Sequence, residues 1–401
     1  GLRSAAMTRH TLVKLALGTT VAVVLALWAS ASRGPTDEAA RVGEPLLKGL
    51  RESINEVTQL RVIEAGDKPA VTLQRVADGW TVVERGGYPA DIGKVRETLI
   101  GLSEATLIEA KTANPERHSV LGVEDVAKPD AKGMRVEIDG KIPAKIVVGT
   151  YSTQGNGSFV RRNDEAQAWL AKGNLVPDRQ AANWLVKDIV DIASDRIMRV
   201  EIKRGDSSFA VLKTSPEQTN YTVENLPAGR ELLSEYEANG IASVLAGLKF
   251  DDVAKAESAV PDPSSMIVAT FRTFDGLVIE ITGFASEGKR YATFAASVDG
   301  ARADLAAKAA QLNAVADHER ATKAEAPAAD SADPSTQPAA ELPSPPLAVT
   351  DPAAFIAERR KAVDDEATKL NVLTKAWVYV LPAYKYANMD KRLEDLLKPK
   401  A

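Results

Sequence analysis

The chain has 401 residues, an apolar fraction of 45%, a net charge of −5 and no cysteine. Its length predicts two or three domains, and the apolar fraction suffices for two cores. Without cysteine there is no disulfide framework, thiolate metal site or lipobox-type anchor, and no long basic run suggests a nucleic-acid partner.

Residues 1–14 read as a cytoplasmic n-region carrying Arg9 and Lys14, with Met7 as the natural start. An apolar stretch runs from Leu15 to Trp28 and ends in Ala29-Ser30-Ala31-Ser32. Residues 15–32 are near the lower limit for crossing a hydrocarbon core of about 30 Å. Ala29-x-Ala31 offers a cleavage site, whereas the length of the apolar run favours an uncleaved signal anchor. The basic residues before it and Asp37-Glu38 after it place the bulk of the chain outside the cytoplasm, with Trp28 at the outer interface.

A first unit is expected over 42–195. Val42, Leu46, Leu47, Leu50, Ile54 and Val57 recur at helical spacing and predict an amphipathic helix. Strands 71–76 and 80–84 flank Asp78-Gly79, a hairpin signal. Asp91 is a good N-cap for a helix whose apolar face carries Val95, Leu99, Ile100 and Leu102. Strands 134–138 and 145–148 turn at Asp139-Gly140, a hairpin pairs 159–162 with 168–170, and a helix near 183–192 closes the unit.

A second unit, 196–298 and 375–401, follows the same order. Arg61-Val62-Ile63-Glu64-Ala65-Gly66-Asp67 returns as Arg199-Val200-Glu201-Ile202-Lys203-Arg204-Gly205-Asp206. Met134-Arg135-Val136 answers to Met266-Ile267-Val268, and Ala168-Trp169-Leu170 to Ala376-Trp377-Val378. A helix is expected over 230–248, then strands 267–271 and 277–281 about Asp275-Gly276, then 291–296. An insert, 299–374, interrupts the repeat. It holds two helices around an Ala/Pro/Ser-rich stretch too poor in apolar surface to order itself, with Ile356, Val363 and Leu370 as a seven-residue seam. The expected fold class is α+β: an N-terminal transmembrane helix followed by two repeated units of antiparallel sheet with packed helices.

No constellation of residues carries a reaction. The three histidines, His10, His118 and His318, fall in unrelated segments, so a shared metal site is not expected. A Ser/His/Asp set lacks its Gly-x-Ser-x-Gly elbow. Glu235/Glu237 and Asp251/Asp252 resemble a carboxylate pair, yet they sit at a helix face and a helix end among 55 acidic residues. Gly155-Asn156-Gly157 precedes a strand, so it is a turn and not a phosphate loop. Arg204-Gly205-Asp206 copies an adhesion tripeptide at a position where a hairpin turn wants Gly and Asp anyway. Trp80, Trp169 and Trp377 lie in strands, and the equivalence of the last two points to core packing before ligand binding. Arg161 and Arg162 beside a Gly-rich loop are candidates for contact with an acidic partner, against solvated strand charges as the simpler reading. Catalytic, cofactor and metal sites are therefore expected to be absent.

Several stretches together resemble the bacterial domain of unknown function 4340 family. They are Gly79-Trp80-Thr81-Val82-Val83, Tyr88-Pro89-Ala90-Asp91, Glu109-Ala110-Lys111-Thr112-Ala113-Asn114-Pro115, Leu121-Gly122-Val123-Glu124-Asp125, Phe159-Val160-Arg161-Arg162, Asn183-Trp184-Leu185 and Trp377-Val378-Tyr379-Val380-Leu381-Pro382. The resemblance runs from about Leu50 to the C-terminus, excluding the linker. It implies a single-pass protein of the bacterial inner membrane with its C-terminal bulk in the periplasm. It also implies a non-enzymatic accessory role beside the permease, ATPase and auxiliary subunits of a gliding-motility-type ABC transporter. The alternative is a periplasmic lipid- or glycan-binding module using a groove between the units.

Overall fold

The computed structural model describes residues 40–234, 236–325 and 344–399. The expected membrane segment 15–32, with Arg9, His10, Lys14 and Trp28, and most of the Ala/Pro/Ser-rich stretch lie outside these residues. Among the described residues no helix is long and apolar enough to cross a membrane. The chain divides into two compact units between Leu185 and Val186, so residues 186–195 go with the second unit.

Unit one is built on β1 (Gln59–Glu64), β2 (Lys68–Val76), β3 (Gly79–Val82), β4 (Tyr88–Pro89), β5 (Leu107–Ala110), β6 (Met134–Asp139), β7 (Ala144–Ser152), β8 (Gly157–Arg162) and β9 (Ala168–Lys172). They form one antiparallel sheet in the order β4-β3-β2-β1-β6-β7-β8-β9-β5. The hairpins at Asp78-Gly79 and Asp139-Gly140 stand where the sequence puts them. Helix α1 (Ile92–Glu104) begins at Asp91, whose carboxylate accepts from the Gly93 and Lys94 N–H groups at 2.8 and 3.2 Å.

The helix expected over 42–57 is reduced to a single turn, Leu50–Ser53, and a 3₁₀ turn, Ile54–Glu56. Gly43 and Gly49 take φ of +89° and +80°, which interrupts the helix on either side of Pro45. The chain there pairs with the segment after α1 instead: Leu46 N–H donates to the Ala105 carbonyl at 2.7 Å and Leu107 N–H to that of Glu44 at 2.9 Å. Leu46, Leu47, Leu50 and Val57 still reach the core, so burial matches the sequence where conformation does not.

Unit two is built on β10 (Asp188–Val190), β11 (Ile197–Arg204), β12 (Ser207–Leu212), β13 (Thr222–Val223), β14 (Leu248–Lys249), β15 (Asp252–Lys255), β16 (Ile267–Thr273), β17 (Leu277–Ser286), β18 (Lys289–Val298) and β19 (Trp377–Val380). Its main sheet runs β13-β12-β11-β16-β17-β18-β19-β15, which is the first sheet's order without a counterpart of β4. The opening segment repeats too, because β10 pairs with β14 as residues 43–46 pair with 105–107. So does the closing segment. Leu185 bridges Ala90 just ahead of α1, and Leu397 bridges Leu232 ahead of α2 (Tyr236–Ala242).

Three expectations change here. The helix expected near 183–192 is a 3₁₀ turn, Ala181–Trp184, followed by β10; Ile189 in that strand and Ile192 just beyond it are buried. The helix expected over 230–248 contracts to α2 and a 3₁₀ turn, Ser243–Leu245, because residues 231–233 pair with the C-terminal segment instead: Leu233 N–H donates to the Leu396 carbonyl at 2.8 Å and Lys398 N–H to that of Glu231 at 2.9 Å. The Met134/Met266 correspondence is out of register by three residues. Val62 pairs with Val136, whereas Val200 pairs with Phe271, so Phe271 and not Val268 occupies the position of Val136.

The insert leaves unit two after β18 as α3 (Gly300–Glu325) and returns as α4 (Pro352–Thr374) into β19. Val363 and Leu370 of the expected seam are buried and Ile356 is half-buried. Beyond the β19 pairing, the side-chain amide of Asn371 takes the place of a strand: it donates to the Ala296 carbonyl and accepts from the Ala296 N–H, each at 2.8 Å. That closes part of the β18 edge. After β19, helix α5 (Ala383–Met389) buries Tyr386 and Met389.

Candidate functional site

The charged residues that the sequence offers to a partner are consumed inside the units. Arg161 is buried; its Nε–H donates to the Val123 carbonyl at 2.8 Å and an Nη1–H to that of Glu165 at 3.1 Å. Burial pushes its guanidinium below the ordinary arginine value, with Asp125 opposing, although arginine stays charged. Arg162 donates to the Leu46 and Pro45 carbonyls at 2.9 and 3.0 Å and pairs with Glu165 at 3.2 Å. Neither is a solvated strand charge and neither is presented outward.

Around Arg161 the motif stretches converge. His118 Nε2 lies 2.9 Å from the Ala166 carbonyl, which reads as a donor in the neutral ring, and burial holds its pKa below the usual histidine value. Glu124 is buried and accepts from the Lys132 N–H at 2.9 Å. Gly122 turns at φ +71°, and Gly133 and Gly149 approach its backbone so closely that a Cβ on either would fall about 2 Å from a carbonyl oxygen. Lys111 N–H donates to the Ala168 carbonyl and Ala168 N–H to that of Thr112. These residues fasten the 111–133 loop to the sheet; their chemistry is structural.

A second cluster is equally closed. Glu137 pairs with Arg61 and Arg135 at 2.8 Å each and with Lys145 at 3.6 Å. Burial alone would raise its carboxyl, but the Arg135 hydrogen bond and the three cations outweigh that and hold it below the usual range. Of the acidic pairs noted in the sequence, Glu235 lies outside the described residues and Glu237 is paired with Lys391. Asp252 opens strand β15 and does not end a helix. Arg204 of the Arg-Gly-Asp turn is bound to Asp390. Asn156, at φ +46°, sits in the turn before β8. Among the described residues no group of three His, Asp or Glu is placed to hold a metal ion.

The tryptophans divide. Trp169 is fully buried as expected, while its counterpart Trp377 is half-buried under Lys255, 4.0 Å from the ring centre. Trp80 is half-buried at the end of a groove of about 380 Å³ between α1 and the β2–β3 hairpin. Across from Trp80 and Val76, α1 presents Ile92, Arg96 and Ile100 at i, i+4 and i+8, one ridge of the helix. Ile92 is 45% exposed and Ile100 40%, whereas Val95 and Leu99 behind them are buried. Ile100 was expected on the core face; the core takes Val95, Leu99 and Leu102 and leaves it outside.

Two larger cavities differ in kind. One, of about 630 Å³, is walled by Leu46, Ile138 and Ile142, but its Arg41, Arg162 and Glu165 are bonded to one another. The other, of about 730 Å³, holds Arg204 and Lys391, bound to Asp390 and Glu237. The α1 groove contains two arginines and no carboxylate. Arg75 donates to the carbonyls of Asn55 and Val57, and Arg96 has no ion pair among the described residues. The corresponding place in unit two is tied shut. There Tyr221 is buried, donates its hydroxyl to the Ile197 carbonyl at 2.6 Å and its N–H to Asn239 of α2 at 2.9 Å, and Asn239 bonds Asn220 at 2.8 Å.

Residues 80–265 match the model of the family described as domain of unknown function (DUF4340). The match is shorter than the resemblance read from sequence, running from β3 of unit one to the residue pair before β16 of unit two. It supports that family and says nothing of a transporter. Neither the curated proteins nor the solved structures contain a match.

Proposed function

We propose that the chain is a non-enzymatic accessory subunit of an ABC-type transporter complex, anchored in the bacterial inner membrane with its bulk in the periplasm, and that it acts through protein–protein contacts. The observation that carries the contact reading is the α1 groove, where an apolar helix ridge, with an arginine at its centre that forms no ion pair among the described residues, stays partly exposed. The transporter and the compartment rest on the resemblance in the sequence and on the expected anchor. Internal use of Arg161, Glu137 and His118, each buried and bonded within its own unit, supports a scaffold over a reaction centre.

Affinity purification from native membranes after gentle detergent extraction, with mass spectrometry of the bound material, tests this reading. Recovery of permease and ATPase subunits supports it; a chain that migrates alone sinks it. One feature favours the second reading, a lipid- or glycan-binding module: the half-buried Trp80 lines the groove. A homogeneous chain that carries lipid or glycan and no protein would install that reading instead.

A further inference from the structure

We infer that the α1 groove receives one amphipathic helix of a partner protein, with an acidic side chain set opposite Arg96; this rests on the protein–protein reading above. The ridge Ile92–Arg96–Ile100 spans two turns, about 12 Å at 1.5 Å per residue. Such a ridge, exposed beside a hairpin wall carrying Val76 and Trp80, is the surface into which a second helix packs its own side-chain rows.

Charge decides the occupant. The groove is lined by Arg75 and Arg96 and by no carboxylate, and Arg75 is already bonded to backbone carbonyls. Arg96 interrupts the apolar ridge at its middle. A hydrocarbon chain laid along the ridge would cover a guanidinium without neutralising it, which is costly. A helix can place leucine-type side chains against Ile92 and Ile100 and a carboxylate between them. Unit two does not repeat the groove, because Tyr221, Asn239 and Asn220 bind strand to helix at the equivalent place.

The test places a photo-crosslinking amino acid at Ile100 of the full chain in native membranes and sequences the adduct by mass spectrometry. Val120, exposed and away from the groove, serves as the control position. The expected adduct is a peptide of a different protein, with apolar residues at spacings of three and four and an Asp or Glu among them. Arg96→Glu should lower its yield about tenfold, Arg96→Gln less, and changing that acidic residue to Lys should restore the yield with Arg96→Glu. Circular dichroism verifies that each variant is folded. An adduct with lipid or with this same chain overturns the inference, as does a captured segment without an acid or a yield indifferent to Arg96. No adduct at position 100 while transporter subunits still co-purify overturns it and leaves the accessory role standing. Loss of both the adduct and the subunits removes both.

Discussion

The Nε–H of Arg161 donates to the backbone carbonyl of Val123 at 2.8 Å, and this contact joins two of the stretches that resemble the domain of unknown function 4340 family. A buried guanidinium answered by carbonyls is a fastener, because each carbonyl it leaves is stranded away from water. Arg161→Met should therefore cost about 3 kcal/mol of unfolding free energy in urea titration. Arg161→Lys should recover little, since an ammonium cannot reach the Val123 and Glu165 carbonyls in the planar fork. A loss under about 0.5 kcal/mol, the range of ordinary surface changes, would contradict the fastening role.

The same loop sets a steric test. A Cβ at Gly149 would lie 2.1 Å from the Leu121 oxygen, and at Gly133 1.9 Å from the Gly122 oxygen. Gly149→Ala should cost more than about 3 kcal/mol, because backbone and not a flexible side chain must move. Gly87→Ala, with open space around it at φ +82°, should cost only about 1 kcal/mol. Equal costs at the two positions would show that the loop yields.

His118 gives a pH signature. Burial lowers its folded-state pKa most, Arg161 and Lys128 add to this, and the Ala166 bond and Glu124 oppose it. The unfolded ring keeps an ordinary value of about 6.5, so it takes up a proton first as pH falls. Stability is then lost as pH drops from about 6.5 through the folded value. Glu137, Glu165 and Asp178, each held below its usual range, add loss of the same sign only at lower pH. His118→Gln should flatten the melting-temperature slope between about pH 5 and 6.5 while leaving the acid limb intact. An unchanged slope would mean that the ring takes up its proton alike in the folded and unfolded chain.

Asn371 is the edge guard of β18. Asn371→Ala removes both bonds to Ala296 and should cost about 1–2 kcal/mol. It also bares a strand edge, so concentration-dependent association in light scattering should accompany the loss. A variant as stable as the parent and no more associated than it would show that the edge needs no cover.

Much of the fold is legible where local chemistry is decisive. Asp78-Gly79, Asp139-Gly140, Gly205-Asp206 and Asp275-Gly276 all turn where Gly or Asp is demanded, and Asp91 caps α1. The duplication is legible from Arg61/Arg199 and Trp169/Trp377, but its register is not: three residues separate the sequence match at Met266 from the ladder position. Apolar spacing misled where backbone pairing won. Leu46 and Leu47 are buried by a bridge to the segment after α1, and Ile189 by β10, yet both patterns fit a helix. The site was hardest to see. Ile100 looks like a core residue until Val95, Leu99 and Leu102 are known to fill the core side of α1. The signal was there, since a helix with apolar residues on two faces has one face left over.

The most direct measurement compares what co-purifies from gently solubilised native membranes with the parent chain, with Ile100→Asp and with Val120→Asp. Both substituted positions are exposed, so all three proteins should melt alike. An accessory subunit working through the α1 groove retains ABC permease and ATPase subunits in the parent and in Val120→Asp and loses them in Ile100→Asp. A parent chain recovered alone, or equal recovery with all three, would contradict it.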